Sequence, residues 1–263
     1  MLAATIKAKL RRGEVSIGTW MTMAHSSIAE IFGQAGYDFV VLDMEHSAIT
    51  VSEVLRLIIA VDNAGSIPLV RLAGHDPIAC KAVLDSGAAG VIVPNICTKA
   101  EAEQAVQMAK YPPRGFRGVG LARAQGYGTS FDDYIAHANS DTLVIMQIEH
   151  KDGVANIDEI LSVEGIDGTF IGPYDLSMSL GLPGQLNHPQ MVAAKRRVLD
   201  ATVARGLSAG IHLVHPSSAV EDTAAATAAG YTFLAIGTDM LMLGETARSL
   251  HATLHGQVSP AGG

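Results

Sequence analysis

The sequence predicts a single α/β domain of the (β/α)8 type, the TIM barrel, with an extra helix at each end. Three observations carry this. First, eight short apolar runs recur along the 263 residues: IGTW (17–20), YDFVVLD (37–43), PLVRL (68–72), AGVIVP (89–94), LVIMQIE (143–149), GTFIG (168–172), SAGIHL (208–213) and FLAIG (233–237). Most are separated by one helix and two short turns, the period of parallel strands joined by helical crossovers. Second, an Ala-rich helix closing on Gly just before a strand occurs three times, in 32–43, 84–94 and 224–239; Gly takes the left-handed conformation that turns the chain back. Third, four runs end in polar or charged residues: FVVLDMEH (39–46), PLVRL (68–72), LVIMQIEH (143–150) and FIGPYDLS (170–177). A strand covered on both faces has no place for such groups, so they are expected where strands stop, at the rim that carries a barrel's active site.

At the start of the chain, MLAATIKAKLRR carries four basic residues but no apolar signal core, and reads as an amphipathic helix closing the barrel floor. Later helices announce their starts: Thr50 with Glu53 and Thr98 with Glu101 are capping boxes, Asp76 precedes Pro77 as an N-cap, and Asn187 with Gln190 is a weaker box. Pro112-Pro113 ends a helix and opens the longest irregular stretch, residues 111–131, expected to lie across the rim and to act there. DMLMLGETARSLHATL (239–254) forms a last apolar helix, and residues 257–263 are expected to be a disordered tail. No linker interrupts the chain, so 1–263 is read as one domain.

Composition narrows the function. A hydrophobic fraction of 48% supports a large core, and a formal net charge of −8 argues against nucleic acid or an anionic membrane as partner. Nothing approaches the length of a membrane span. Cys80 and Cys97 are too few for a disulfide framework, and a reducing cytoplasm is the simplest setting.

Glu149 and Asp175 end adjacent strands and are expected to face each other. Two close carboxylates repel unless neutralised, and a hard divalent cation, Mg2+ or Mn2+, does so through oxygen; capping of the following helices is the competing reading of each. Arg71 closes an apolar strand, where a guanidinium can oppose a developing enolate or pair with Asp43 or Glu45. His46 leaves the second strand with Asp43 and Glu45, well placed to move protons. Gly172 and Pro173 lead into a helix whose amides near Tyr174 and Asp175 can cradle a carboxylate, and Gln147 shares a strand face with Glu149. His212 and His215 diverge at a strand end and read as structural or as supporting groups behind the site. On spacing alone Asp85 is a partner of Lys81.

These motifs in order, DMEH, VRL, RGVGLARAQGYG, QIE and IGPYDLSMSLG, resemble the metal-dependent, pyruvate-specific class II aldolases that include 4-hydroxy-2-oxoheptanedioate aldolase and 2-dehydro-3-deoxyglucarate aldolase, within the phosphoenolpyruvate/pyruvate-binding barrel superfamily. The likeness covers nearly the whole chain. It implies reversible cleavage of a 4-hydroxy-2-oxo acid to pyruvate and an aldehyde. Glu149 and Asp175 would hold the divalent metal (Mg2+ or Mn2+, with Co2+ admissible), and Arg71 would stabilise the enolate. His46 would be the catalytic histidine paired with Asp85, and Asp43 an acid near the metal-bound water. Gln147, Gly172, Pro173, Tyr174 and Leu213 would contact substrate, with Arg123 meeting the distal part of the aldehyde. The resemblance also implies a hexamer, a trimer of dimers that exchange their last helix. Two departures, SAIT after the EH pair and AQGYG in the loop, bear on aldehyde choice.

Three rivals stand beside this reading. A Schiff-base aldolase would need a desolvated lysine at a strand end, where only Lys151 lies. An acyl-coenzyme A lyase would need a basic groove, for which Arg114 with Arg117 and Arg196 with Arg197 are sparse. A non-catalytic oxo-acid-binding oligomer is the third.

Overall fold

The computed structural model describes residues 2–258. Its eight strands, β1 (Ser16–Met21), β2 (Phe39–Asp43), β3 (Ile67–Arg71), β4 (Gly90–Val93), β5 (Leu143–Ile148), β6 (Gly168–Ile171), β7 (Ser208–Leu213) and β8 (Phe233–Thr238), pair in parallel and in chain order into a closed barrel. All eight expected strands are present. Helix α1 (Leu2–Arg11) precedes the barrel. The outer layer is α2 (Ser26–Gln34), α3 (Val51–Asn63), α4 (Pro77–Asp85), α5 (Lys99–Ala109), α6 (Phe131–Asp141), α7 (Lys151–Ala155), α8 (Ile157–Ile160), α9 (Pro173–Ser179), α10 (Pro189–Ala204) and α11 (Ala219–Ala229). Helix α12 (Asp239–Val258) comes after β8. It takes in positions 257 and 258 of the expected tail, and 259–263 lie outside the described residues. No helix among the described residues is long and apolar enough to cross a membrane.

Because strand side chains alternate, each strand feeds two cores. Phe39, Val41, Leu69, Ile145, Phe170 and Phe233 fill the barrel interior, and Ile6 and Leu10 of α1 join them from below, the plug that the N-terminal pattern predicts. The rings of Phe39 and Phe233 lie 4.4 Å apart. Gly18 makes room for them, since a Cβ there would sit 2.3 Å from the Phe39 ring. The alternate residues, such as Val40, Leu42 and Val70, meet Val54, Leu57 and Ile58 of α3 in the layer between barrel and helices. The period-two pattern then decides the site: Asp43, Arg71 and Gln147 are the next inward positions above Val41, Leu69 and Ile145. They remain inside the barrel as its uppermost layer, all three buried, rather than emerging beyond the strands.

Local signals hold with one exception. Gly36, Gly87 and Gly230 have φ of +86°, +102° and +111° at the three expected helix-to-strand turns. Both capping boxes form, and Asp76 caps α4 ahead of Pro77. The exception is α10, which starts one residue later than the Asn187 box implies: the His188 ring accepts from the Gln190 amide.

The 111–131 stretch departs from expectation in position. A helix after a barrel strand carries the chain back to the floor, so the segment after α5 starts there and not at the rim. The stretch packs along the C-terminal ends of the neighbouring helices: Arg117 bonds Asp85 at the end of α4, and Arg123 reaches Asp62 in α3 and the Ser86 carbonyl.

Candidate active site at the barrel rim

Asp43 and Arg71 are directly opposite in the β2–β3 register. Arg71 Nε donates to Asp43 Oδ1 at 2.9 Å and Nη2 donates to Oδ2, a two-pronged pair in which the planar guanidinium matches the carboxylate. Its remaining nitrogen, Nη1, lies 3.2 Å from Glu45 Oε2, and the indole of Trp20 lies 4.8 Å from Cζ. Asp43 also accepts from the Glu45 and His46 amides, which fixes the loop carrying His46. Burial alone would raise the Asp43 pKa, but the Arg71 bonds and charge outweigh it and hold the carboxyl below its ordinary range. Both competing readings of Arg71 are therefore compatible: it is paired, and it still faces the pocket.

Glu149 lies just past the end of β5 and is 5% exposed. Oε1 accepts from the Asn95 amide at 2.8 Å and Oε2 from Gln147 Nε2, leaving the buried Gln147 Oε1 without a partner. Burial, reinforced by Asp175, raises the Glu149 pKa. Glu45 is raised further, to about 7, by burial against the opposing pull of Arg71, with Glu149, Asp43 and Asp175 adding repulsion. Asp175 lies in the first turn of α9 rather than on a strand, half-exposed, with Oδ2 3.7 Å from His46 Nε2. Glu45, His46, Asn95, Glu149 and Asp175 line a rim cavity of about 470 Å3. An adjoining cavity of about 350 Å3 shares His46 and Asp175 and continues to Arg71, Gly172, Pro173 and Tyr174.

Gly172 packs closely against Glu149: a Cβ there would lie 2.4 Å from Glu149 Oε2. The amides of Tyr174 and Asp175 head α9, where first-turn N–H groups have no acceptor within the helix. The Tyr174 hydroxyl meets His215 Nε2 at 2.7 Å, while His212 stacks on Trp20 and bonds the Gly237 carbonyl. Both histidines thus have structural partners, as their spacing implied. Burial pushes the His212 pKa down to about 4, so its ring is neutral at pH 7.

Three expected residues are not brought here. Asp85 ends α4 at the floor and pairs with Arg117 at 2.6 Å, so neither Lys81 nor His46 is its ion-pair partner within the chain. Arg123 is likewise at the floor, held by Asp62. Leu213 points outward and packs on the barrel-to-helix core, whereas its neighbours His212 and Val214 line the pocket. Lys151 is exposed in the first turn of α7 and does not line the rim cavity, which leaves the Schiff-base reading without its lysine.

Residues missed in the sequence include Trp20, Asn95 and Asp239. Asn95 has φ +50°, the left-handed region Asn tolerates, and a Pro-Asn pair after a strand is its visible signal. Asp239 takes the Thr22 and Met23 amides and ties β8 back to β1. Trp20 looks like ordinary core in the sequence and gives no such signal.

A parallel barrel whose rim gathers a buried arginine–carboxylate pair and several crowded acids is the architecture of a barrel enzyme. Comparison with known proteins narrows that class. The profile of the HpcH/HpaI aldolase/citrate lyase family matches residues 16–245. The hydroxypyruvate/pyruvate aldolase of Roseobacter denitrificans is 39% identical over 250 residues, covering 94% of this chain and 96% of that protein. A 2-keto-3-deoxy-L-rhamnonate aldolase of Escherichia coli is 38% identical over 249 residues, with 92% and 90% covered. The crystal structure of an HpcH/HpaI aldolase/citrate lyase family protein from Burkholderia cenocepacia superposes with a TM-score of 0.90 at 32% identity, covering 96% and 99%. The chain belongs to the HpcH/HpaI aldolase/citrate lyase family, and with it to the carbon–carbon lyases.

Proposed function

We propose that the chain catalyses reversible cleavage of 4-hydroxy-2-oxo acids to pyruvate and an aldehyde, as a class II aldolase using a divalent cation at Glu149 and Asp175. The observation carrying this is the crowding of Glu45, Glu149 and Asp175 around one cavity beside Arg71, with the pKa values of Glu45 and Glu149 raised. The donor set fits the cation: Glu149 and Asp175 would supply hard carboxylate oxygens and an unpartnered Gln147 carbonyl oxygen lies close by, while among the described residues no cluster of three or more His, Cys, Asp or Glu forms a closed metal site. Mg2+ or Mn2+ suits such oxygens, with Co2+ admissible. When bound, the cation polarises the 2-oxo group and offsets charge that develops there.

The chain's own residues do the rest. Arg71, fixed by Asp43, presents positive charge to the oxygen that becomes the enolate. His46, more than half exposed and held near Asp175, takes the proton of the 4-hydroxyl and returns one in the synthetic direction. Amides of Tyr174 and Asp175 receive the substrate carboxylate beside Gly172 and Pro173, with Gln147 below. Because Asp85 and His46 occupy opposite ends of one barrel, the pairing that the resemblance implies is one between two copies of the chain. The same holds for Arg123 as an aldehyde contact. A homo-oligomer, a hexamer built as a trimer of dimers, accords with this, and exposed Met240, Leu243, Leu250 and Leu254 along α12 support an exchanged last helix. The setting is cytoplasmic and the partners are small molecules.

The test couples pyruvate release to lactate dehydrogenase across a panel of 4-hydroxy-2-oxo acids, with EDTA and with each metal restored. Activity lost to EDTA and regained with Mg2+ or Mn2+ is expected. Activity indifferent to EDTA, or silence across the panel, refutes the proposal.

A further inference from the structure

At the floor, a cavity of about 750 Å3 opens between α1, the end of α5, α6 and the turn before β6. Its lining brings together four cations, Lys7, Arg11, Lys110 and Arg114, and two acids, Glu164 and Asp167. Lys7 is 5% exposed and Lys110 is 2% exposed. Both ammonium groups converge on one acceptor: the Thr142 carbonyl takes Lys7 Nζ at 3.1 Å and Lys110 Nζ at 2.7 Å. The second bond of Lys110 goes to the Asn139 carbonyl at 2.9 Å, so its partners are neutral.

Of the two carboxylates in the lining Asp167 is the less exposed, and it is heavily shared. It sits 2.8 Å from Lys7 and 3.9 Å from Arg11, and it accepts from the Val144 amide as well. Glu164 is at the surface, paired with Arg114 at 3.2 Å. Two buried ammonium groups around one carbonyl, with one carboxylate between three cations, leave net positive charge in a low-dielectric place. Lys110 registers that charge: burial first, then Lys7, Arg11 and Arg114, with Asp167 opposing, bring its pKa down to about 7. For Lys7 burial again lowers the value, with Asp167 and Asp141 opposing and Arg11 adding to the fall. In a chain of net charge −8, this basic concavity stands out.

We propose that the floor cavity binds a doubly charged oxyanion, either inorganic phosphate or the phosphate of a monoester. In its protonated form, which an arriving anion favours, Lys110 has a third N–H to give, since its two bonds use only two of three donors. Arg11 and Arg114 stand at the mouth with side chains 67% and 60% exposed, long enough to swing onto phosphate oxygens in forked geometry. The anion meets more cations than acids there and draws the Lys110 amine back to its charged form, while Val106, Ala136 and Ile166 offer apolar wall to the organic part of an ester. The site lies across the barrel from the rim, so occupancy acts on stability and not by competition with substrate.

Thermal unfolding of the full chain at constant ionic strength and pH 7 tests this, with chloride replaced by 10 mM phosphate or glycerol 3-phosphate. For millimolar binding, Tm rises by about 2 °C in the unsubstituted protein. In the Arg11→Gln/Arg114→Gln variant most of that rise is lost while pyruvate-forming activity is kept, and Lys110→Met behaves likewise if it folds. Equal rises with both anions assign the free ion; a larger rise with the ester assigns a monoester. No rise with either anion, or a full rise in the double variant, overturns the proposal.

Discussion

Gly172→Ala is the sharpest single perturbation of the rim. The backbone there has φ −88° and ψ 96°, which alanine adopts freely, so any effect comes from the methyl group and not from backbone strain. That methyl would meet Glu149 Oε2 at 2.4 Å, about 1 Å short of the 3.4 Å at which ordinary contact begins, and Glu149 Cβ at 3.1 Å. Glu149 cannot simply swing aside, because Asn95 and Gln147 hold its two oxygens and the side chain is buried. The carboxylate must retreat by about 1 Å, a displacement that costs roughly 100-fold in a well-oriented site, or about 2.7 kcal/mol in the barrier. Overpacking adds a stability loss of about 1–3 kcal/mol. Steady-state pyruvate release should therefore show kcat/KM down about 100-fold, with weaker Mn2+ binding by calorimetry and a cooperative melt at lower temperature. A variant within threefold of the parent in both kcat/KM and Mn2+ affinity would refute the assignment of Glu149.

Three further outcomes are expected. Arg71→Lys keeps the charge but loses the forked bond to Asp43, so kcat/KM should fall by roughly 100- to 1000-fold; a change under threefold would remove Arg71 from the chemistry. His46→Asn and Asp85→Asn should each be nearly inactive alone, yet mixed after dissociation and reassembly they should regain part of the activity, because one interface then carries both native residues. Recovery absent from assembled mixed oligomers would count against pairing between copies. The neutral, partly buried His212 gives a pH signature: its folded pKa near 4 lies below the unfolded value of 6.5, so the unfolded chain binds the proton first. Its contribution is complete above pH 6.5 and is lost as pH falls toward 4, about 2 kcal/mol after allowing for the ring's opening to the pocket. Urea midpoints at pH 7 and 4.5 should show this loss in the parent and a shallower one in His212→Gln; identical slopes would refute it.

Much of the molecule was legible because the signals are local. Strands, left-handed glycines and capping boxes each need only a few adjacent residues, and all eight strands and both boxes form. The Asp43–Arg71 pair needed one more step, the period of two applied to neighbouring strands in register. The hidden part depends on which end of the barrel a segment occupies. Residues 111–131 come after a returning helix, which puts their start at the floor, whereas length alone points to a segment lying across the rim. Asp85 and Arg123 share that floor position, and no periodicity says which carboxylate each floor arginine takes. Trp20 resembles any core aromatic until the barrel brings Arg71 and His212 against it.

Asp43 and Arg71 stand in direct register. The orientation of the guanidinium is set by the same backbone ladder that closes the barrel, and no loop has to be folded correctly to aim it. The Nε and Nη2 bonds to Asp43 therefore depend on two strand residues in register, so a change in the length of a later loop leaves the aim of the guanidinium in place.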